Sequence, residues 1–175
     1  MKSNIRTAKD IAFIGLASAS LTAVKLALSW LANIELVTLF IIFYTLTLGV
    51  KRTLFACNIF IVCECLIYGL GSWTISYFIH WNALCIVTYA LNKKGVKKSI
   101  HYALWALFLT FLFGVQTSVI EVIIFSSGSE FLSAFLLKYF MGITFFGVHM
   151  ASAFLSTLFL LPPLLKIKFS NIENN

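Results

Sequence analysis

Asn92-Lys93-Lys94-Gly95-Val96-Lys97-Lys98 separates two long hydrophobic segments and holds four of the chain's 13 Lys and Arg residues. Lys2, Arg6 and Lys9 precede the first hydrophobic segment, Lys51 and Arg52 follow the second, and Lys166 and Lys168 follow the last. The intervening junctions, near Asn33, Gly71 and Gly128, carry no Lys or Arg in their turns. Short basic loops stay on the cytoplasmic side of a membrane, so this alternation predicts an even number of crossings with both termini inside. Six crossings fit the hydrophobic segments.

Composition points the same way. With 61% hydrophobic and 11% charged residues, and a mean hydropathy of +0.97, a soluble chain of this length would have no polar surface. A span needs about 20 apolar residues to cross roughly 30 Å of hydrocarbon. Six spans with short turns use nearly the whole chain, so residues 1–175 are expected to form a single six-helix, all-α integral membrane domain with no room for a soluble one. The net charge of +7 sits at membrane junctions, where anionic inner-leaflet lipid selects it, and not on one face or tail, which argues against nucleic-acid binding. Cys57, Cys63, Cys65 and Cys85 lie inside hydrophobic segments without CxxC spacing and read as small buried hydrophobes, neither disulfides nor a metal site. The first segment lacks a small-residue cleavage site after a short apolar core, so it reads as a retained helix and not a signal peptide.

The expected helices run from about Ala8 to Leu31, Leu36 to Leu48, Leu54 to Leu70, Trp73 to Leu91, Ile100 to Phe125 and Gly142 to Leu161. Ser126 to Met141 reads as a loop or a surface-lying amphipathic turn, and Pro162-Pro163 as the stop of the last helix. In the first helix Gly15, Ala19, Ala23 and Ala27 recur every four residues and share a face. Such a small-residue stripe allows close backbone approach in lipid, either to a neighbouring helix or to a separate subunit.

Charged side chains within a span cost about 2.5–3.5 kcal/mol on insertion scales, which makes each a functional candidate unless it can snorkel. At 1.5 Å of rise per residue, Lys25, Glu64, Tyr77, His80, Glu121 and His149 fall at one depth, in the outer half of the bilayer, on five different helices. A binding cavity open to the outside would require that shared depth. Trp73, Tyr77, His80, Trp81 and Leu84 form one helix face, suited to stacking a flat, partly polar ligand. An interfacial aromatic belt explains Trp73 but not Trp81, about 12 Å deeper. Lys25 reads as a snorkelling residue whose stem reaches the interface, and His149 as either pocket or packing. Glu35, Glu64 and Glu121, all toward the outside, favour a flat ring carrying an amine or ring nitrogen. HExxH, GxSxG and P-loop motifs are absent from the sequence, so none of the chemistries they carry is supported, and no cofactor or metal is called for.

Lys9-Asp10-Ile11-Ala12, Asn33-Ile34-Glu35-Leu36-Val37-Thr38, Glu64-Cys65-Leu66-Ile67-Tyr68-Gly69, Trp73 to Trp81, and Gly142-Ile143-Thr144-Phe145 followed by His149, Ser152 and Pro162 together resemble the substrate-binding S components of energy-coupling factor (ECF) transporters. The resemblance covers nearly the full length in order and spacing. It implies a non-enzymatic subunit of the bacterial cytoplasmic membrane that captures a vitamin or related micronutrient. The substrate would be delivered by toppling against a transmembrane T component driven by two cytosolic ABC ATPases. It further implies docking through Gly15, Ala19 and Ala23, and a pocket formed by the outer loops and helices 4 to 6; the residues themselves point to Glu35, Glu64, Trp73, Tyr77, His80, Trp81, Glu121 and His149 as its lining. Ala32 stands where relatives often have Pro, and Phe146 where many have Asp. The alternative from a different class is a small intramembrane enzyme using His80, His149 and Glu64.

Overall fold

A computed structural model describes residues 8–125 and 130–173, with side chains to Ile167. Lys2, Arg6, the Gly128 junction and the Lys168 side chain lie outside the described residues. The described residues form six helices: α1 (Ala8–Ala27), α2 (Val37–Leu48), α3 (Val50–Tyr68), α4 (Ser72–Lys93), α5 (Ser99–Phe125) and α6 (Phe131–Glu173). Four are long and apolar enough to cross a membrane: α1, α4, α5 and α6 as far as Ile167. The 12-residue α2 is short for a crossing, and α3 has the length but carries Lys51, Arg52 and Glu64.

The outer shell is apolar. Leu70 is 85% exposed, Leu66 81% and Phe125 77%, a distribution that belongs in lipid and not in water. The short α2 sits innermost, touching α1, α3, α4 and α6. Its Leu39, Ile41 and Ile42 pack with Leu21, Phe60, Ile61, Trp81, Leu84, Leu109 and Leu161. Asn58 and Asn82 join α3 to α4 inside this assembly. The Asn82 amide donates to the Asn58 side-chain oxygen at 3.1 Å, so neither amide faces hydrocarbon alone.

Three boundaries differ from the sequence expectation, each for a local reason. α1 stops at Ala27 and not at Leu31, where the Ser29 hydroxyl donates to the Leu26 carbonyl (2.8 Å) and the Trp30 indole to the Ala27 carbonyl (2.9 Å), closing the helix end. α2 and α3 are separated by one residue, Gly49, at φ +87°, a left-handed conformation that glycine adopts without steric cost. Lys51 and Arg52 therefore lie in the first turn of α3 and not in a loop, and Arg52 pairs with the buried Asp10 of α1 at 2.5 Å. The expected loop before the last helix is largely helix: α6 begins at Phe131 and continues through Pro162 and Pro163. Proline's fixed φ lies within the helical range, so the loss of two backbone donors weakens the helix there without ending it.

α5 and α6 form a long hairpin whose closest approach depends on two glycines. A Cβ on Gly114 would stand 2.9 Å from the Phe146 ring, and one on Gly142 2.6 Å from it. Phe146, expected at a pocket position, is a packing residue that also stacks on Tyr139 at 5.7 Å. Gly114→Ala should overpack this joint and cost about 1–3 kcal/mol, measured as thermal stability in detergent. Adding Phe146→Leu should recover part of the loss. A Gly114→Ala protein as stable as the parent would show that the joint yields freely.

Candidate functional site

The site begins with the glycine turn before α4. Gly69 holds φ +81°, and a Cβ on Gly71 would lie 2.6 Å from the Trp73 indole, so glycine here lets that ring fold back over the turn. From there the α4 face runs inward. Trp73 meets Tyr77 with ring centroids 5.0 Å apart, and Tyr77 meets Trp81 at 5.8 Å, both edge to face. The Trp81 indole N–H is buried and has no acceptor among the described residues. Trp81 nonetheless borders the cavity described below.

Lys25 of α1 turns toward this face. Its ammonium forms an ion pair with Glu64 of α3, which is fully buried, and donates to the Tyr77 hydroxyl at 3.0 Å. It lies 4.6 Å from the Tyr77 ring centroid, 5.4 Å from Tyr68 and 5.8 Å from Trp73, a cage in which the rings' negative faces add to the carboxylate's attraction. The snorkelling expected for Lys25 is therefore overturned. A carboxylate buried without a cation would cost several kcal/mol, and that outweighs hydration of the ammonium at the interface.

The segment between α1 and α2 closes the other side. Glu35 accepts from the Thr38 amide (3.0 Å) and hydroxyl (2.6 Å), and its Oε1 lies 3.2 Å from His149 Nε2 of α6. The Ser152 hydroxyl accepts from the Glu35 amide at 3.0 Å and donates to the Glu35 carbonyl at 2.8 Å. Burial pushes the Glu35 carboxyl up, but the contacts from His149 and Thr38 outweigh it and hold the carboxyl below the usual carboxylate range. This network staples the segment across the bundle onto α6.

Between the two networks lies a cavity of ≈ 470 Å³ bordered by Lys25, Asn33, Glu35, Tyr68, Trp73, Tyr77, Trp81 and His149 among others. Five of the eight sequence candidates border it: Glu35, Trp73, Tyr77, Trp81 and His149. Glu64 acts on it only through Lys25. His80 is packed behind, 4.4 Å from Trp81 and 6.5 Å from His149 between ring centroids. Glu121 belongs elsewhere: it pairs with Lys138 at 2.5 Å beside a separate groove between α5 and α6.

With Glu64 and Glu35 already matched and Glu121 absent, the case for a ligand cation held by three carboxylates falls. Lys25, expected to snorkel, borders the cavity instead, together with Asn33 and Tyr68, which the sequence did not single out as site residues. The available signal was that Lys25 and Glu64 share a depth. The ridge of Gly15, Ala19 and Ala23 faces outward, and a Cβ on Gly15 would meet nothing within 4 Å. It is not a contact within this chain, because α1 packs through Ile14, Ala17, Ser18 and Leu21 instead.

Among the described residues no three His, Cys, Asp or Glu side chains come together as a metal-ligand set. No protein-family model, curated protein or solved structure matches the chain. What the site can do is read from its own residues: aromatic walls and one caged ammonium suit a flat molecule carrying hydrogen-bond acceptors.

Lys25→Met should strand the Glu64 charge and cost about 3–5 kcal/mol, read as a lowered melting temperature. Lys25→Met with Glu64→Met should restore most of that stability, since an apolar pair can replace a buried ion pair. Full stability of the single variant would rule out the pair as the tie between α1 and α3.

Proposed function

We propose that this chain is the substrate-specific S component of an ECF-type importer in the bacterial cytoplasmic membrane. In this reading it spans the membrane six times with both termini in the cytoplasm and captures a small water-soluble micronutrient, a vitamin or related flat heterocycle, from outside. The observation that carries the proposal is the aromatic-walled cavity at the ends of α1, α3 and α4, opposite the basic Lys93–Lys98 turn. The positive-inside rule places the basic turn in the cytoplasm and the cavity toward the outside. An α2 of 12 residues rises only about 18 Å, so the stapled segment before it dips into the bilayer and forms a wall at cavity depth.

Substrate transfer would then require a partner, and the exposed Gly15, Ala19 and Ala23 ridge is the surface on which a T component, with its two ABC ATPases, would dock. The intramembrane-enzyme reading has less support. His80 does not border the cavity and Glu64 is committed to Lys25, so the three residues do not converge on the cavity.

Trp73 and Trp81 give the binding step an intrinsic signal. A panel of vitamins and nucleobase derivatives should include one compound that changes tryptophan fluorescence and, at a hundred times its dissociation constant, stabilises the purified protein by about 2.7 kcal/mol. A panel with no such compound would count against capture. Ala19→Trp should abolish uptake and co-purification with the T component while leaving ligand affinity within about twofold, because the ridge faces away from the cavity. Equal loss of affinity and uptake would overturn the docking assignment.

A further inference from the structure

At the far end of the molecule from the cavity, a second concavity of ≈ 420 Å³ is bordered by Lys97, Lys98, Ser99, Tyr102, Leu161 and Pro162. Its two sides differ in chemistry. One is the Lys97-Lys98-Ser99 entry into α5, where Lys93 and Lys94 stand close by in sequence and all four lysines are exposed. The other is an apolar wall from α6, continuing to Leu165.

The turn is held in shape by the Tyr102 hydroxyl, which donates to the Val96 carbonyl at 2.8 Å, and by the Gly95 reversal at φ +77°. Among the described side chains, Asp10, Glu35, Glu64 and Glu121 are each engaged with Arg52, His149, Lys25 and Lys138, and Glu130 precedes α6 at the end of that helix remote from Pro162. Four like charges in six residues repel one another, so a counter-charge is favoured from outside. At the start of α5 the His101 amide is satisfied by the Lys98 carbonyl at 3.2 Å, which leaves the Ser99 and Ile100 amides as further donors for an anion.

We propose that this concavity is a binding site for an anionic phospholipid, with the phosphate of the headgroup at Lys97, Lys98 and Ser99 and an acyl chain along Pro162 and Leu165. Charge complementarity selects an anion, and the adjoining apolar wall, at the level where spans leave the hydrocarbon, selects a lipid over a water-soluble phosphate. The site is independent of what the cavity at the other end binds.

The test is native mass spectrometry of the detergent-purified protein with phosphatidylglycerol, phosphatidylcholine of the same chains, and inorganic phosphate. Phosphatidylglycerol should remain bound and phosphatidylcholine should not. Lys97→Gln with Lys98→Gln should lower phosphatidylglycerol retention by roughly thirtyfold, at about 1 kcal/mol per lysine. Lys97→Arg with Lys98→Arg should retain it, as should Lys51→Gln. These lysines are exposed, so an unchanged melting temperature will show that the variants remain folded. Equal retention of phosphatidylcholine, unchanged retention in the double Gln variant, an equal loss in Lys51→Gln, or displacement of the lipid by millimolar inorganic phosphate would each overturn the proposal.

Discussion

The ion pair of Lys25 and Glu64 is the contact on which the cavity depends. Glu64 is fully buried on α3, and a carboxylate there is tolerable only with a cation beside it. That requirement fixes how α1 lies against α3 and draws the ammonium inward, away from the interface where its stem could have reached. Tyr68, Trp73 and Tyr77 gather round the same ammonium, so the pair also sets where the aromatic face of α4 meets α1. A single matched charge thus ties three helices together beside a cavity with Tyr68, Trp73, Tyr77 and Trp81 on its wall.

The opposite wall follows the same logic with weaker charges. Glu35 is satisfied by Thr38 and His149, and its backbone by Ser152. Backbone outside a helix must still find partners where it packs, and these contacts are how the irregular segment between α1 and α2 meets that demand. Both carboxylates near the cavity are matched internally, which leaves the aromatic rings and the caged ammonium as the groups that face it.

The α4 aromatic face was legible because residues at i, i+4 and i+8 share a face whatever surrounds the helix. Depth was legible too, since rise per residue is constant. Direction was not. Glu64 and Glu121 are expected at one depth, yet one turns toward Lys25 and the other toward Lys138, and no local pattern records which way a helix is rotated. Helix ends were the other gap: at Pro162 and Pro163 the local rule predicted a stop, and α6 continued.

By itself the sequence determined that this is a helical, lipid-suited protein, roughly where its helices lie, and which residues on each helix point together. Those properties follow from hydrophobicity, charge and a fixed helical period within one segment. Only the tertiary structure decided that Lys25 faces inward, that His80 lies behind the cavity wall, that Phe146 fills the space at Gly114, and that the small-residue ridge of α1 faces out. Each depends on which faces of different helices meet, and that is settled by matching buried charge and volume between segments far apart in the chain.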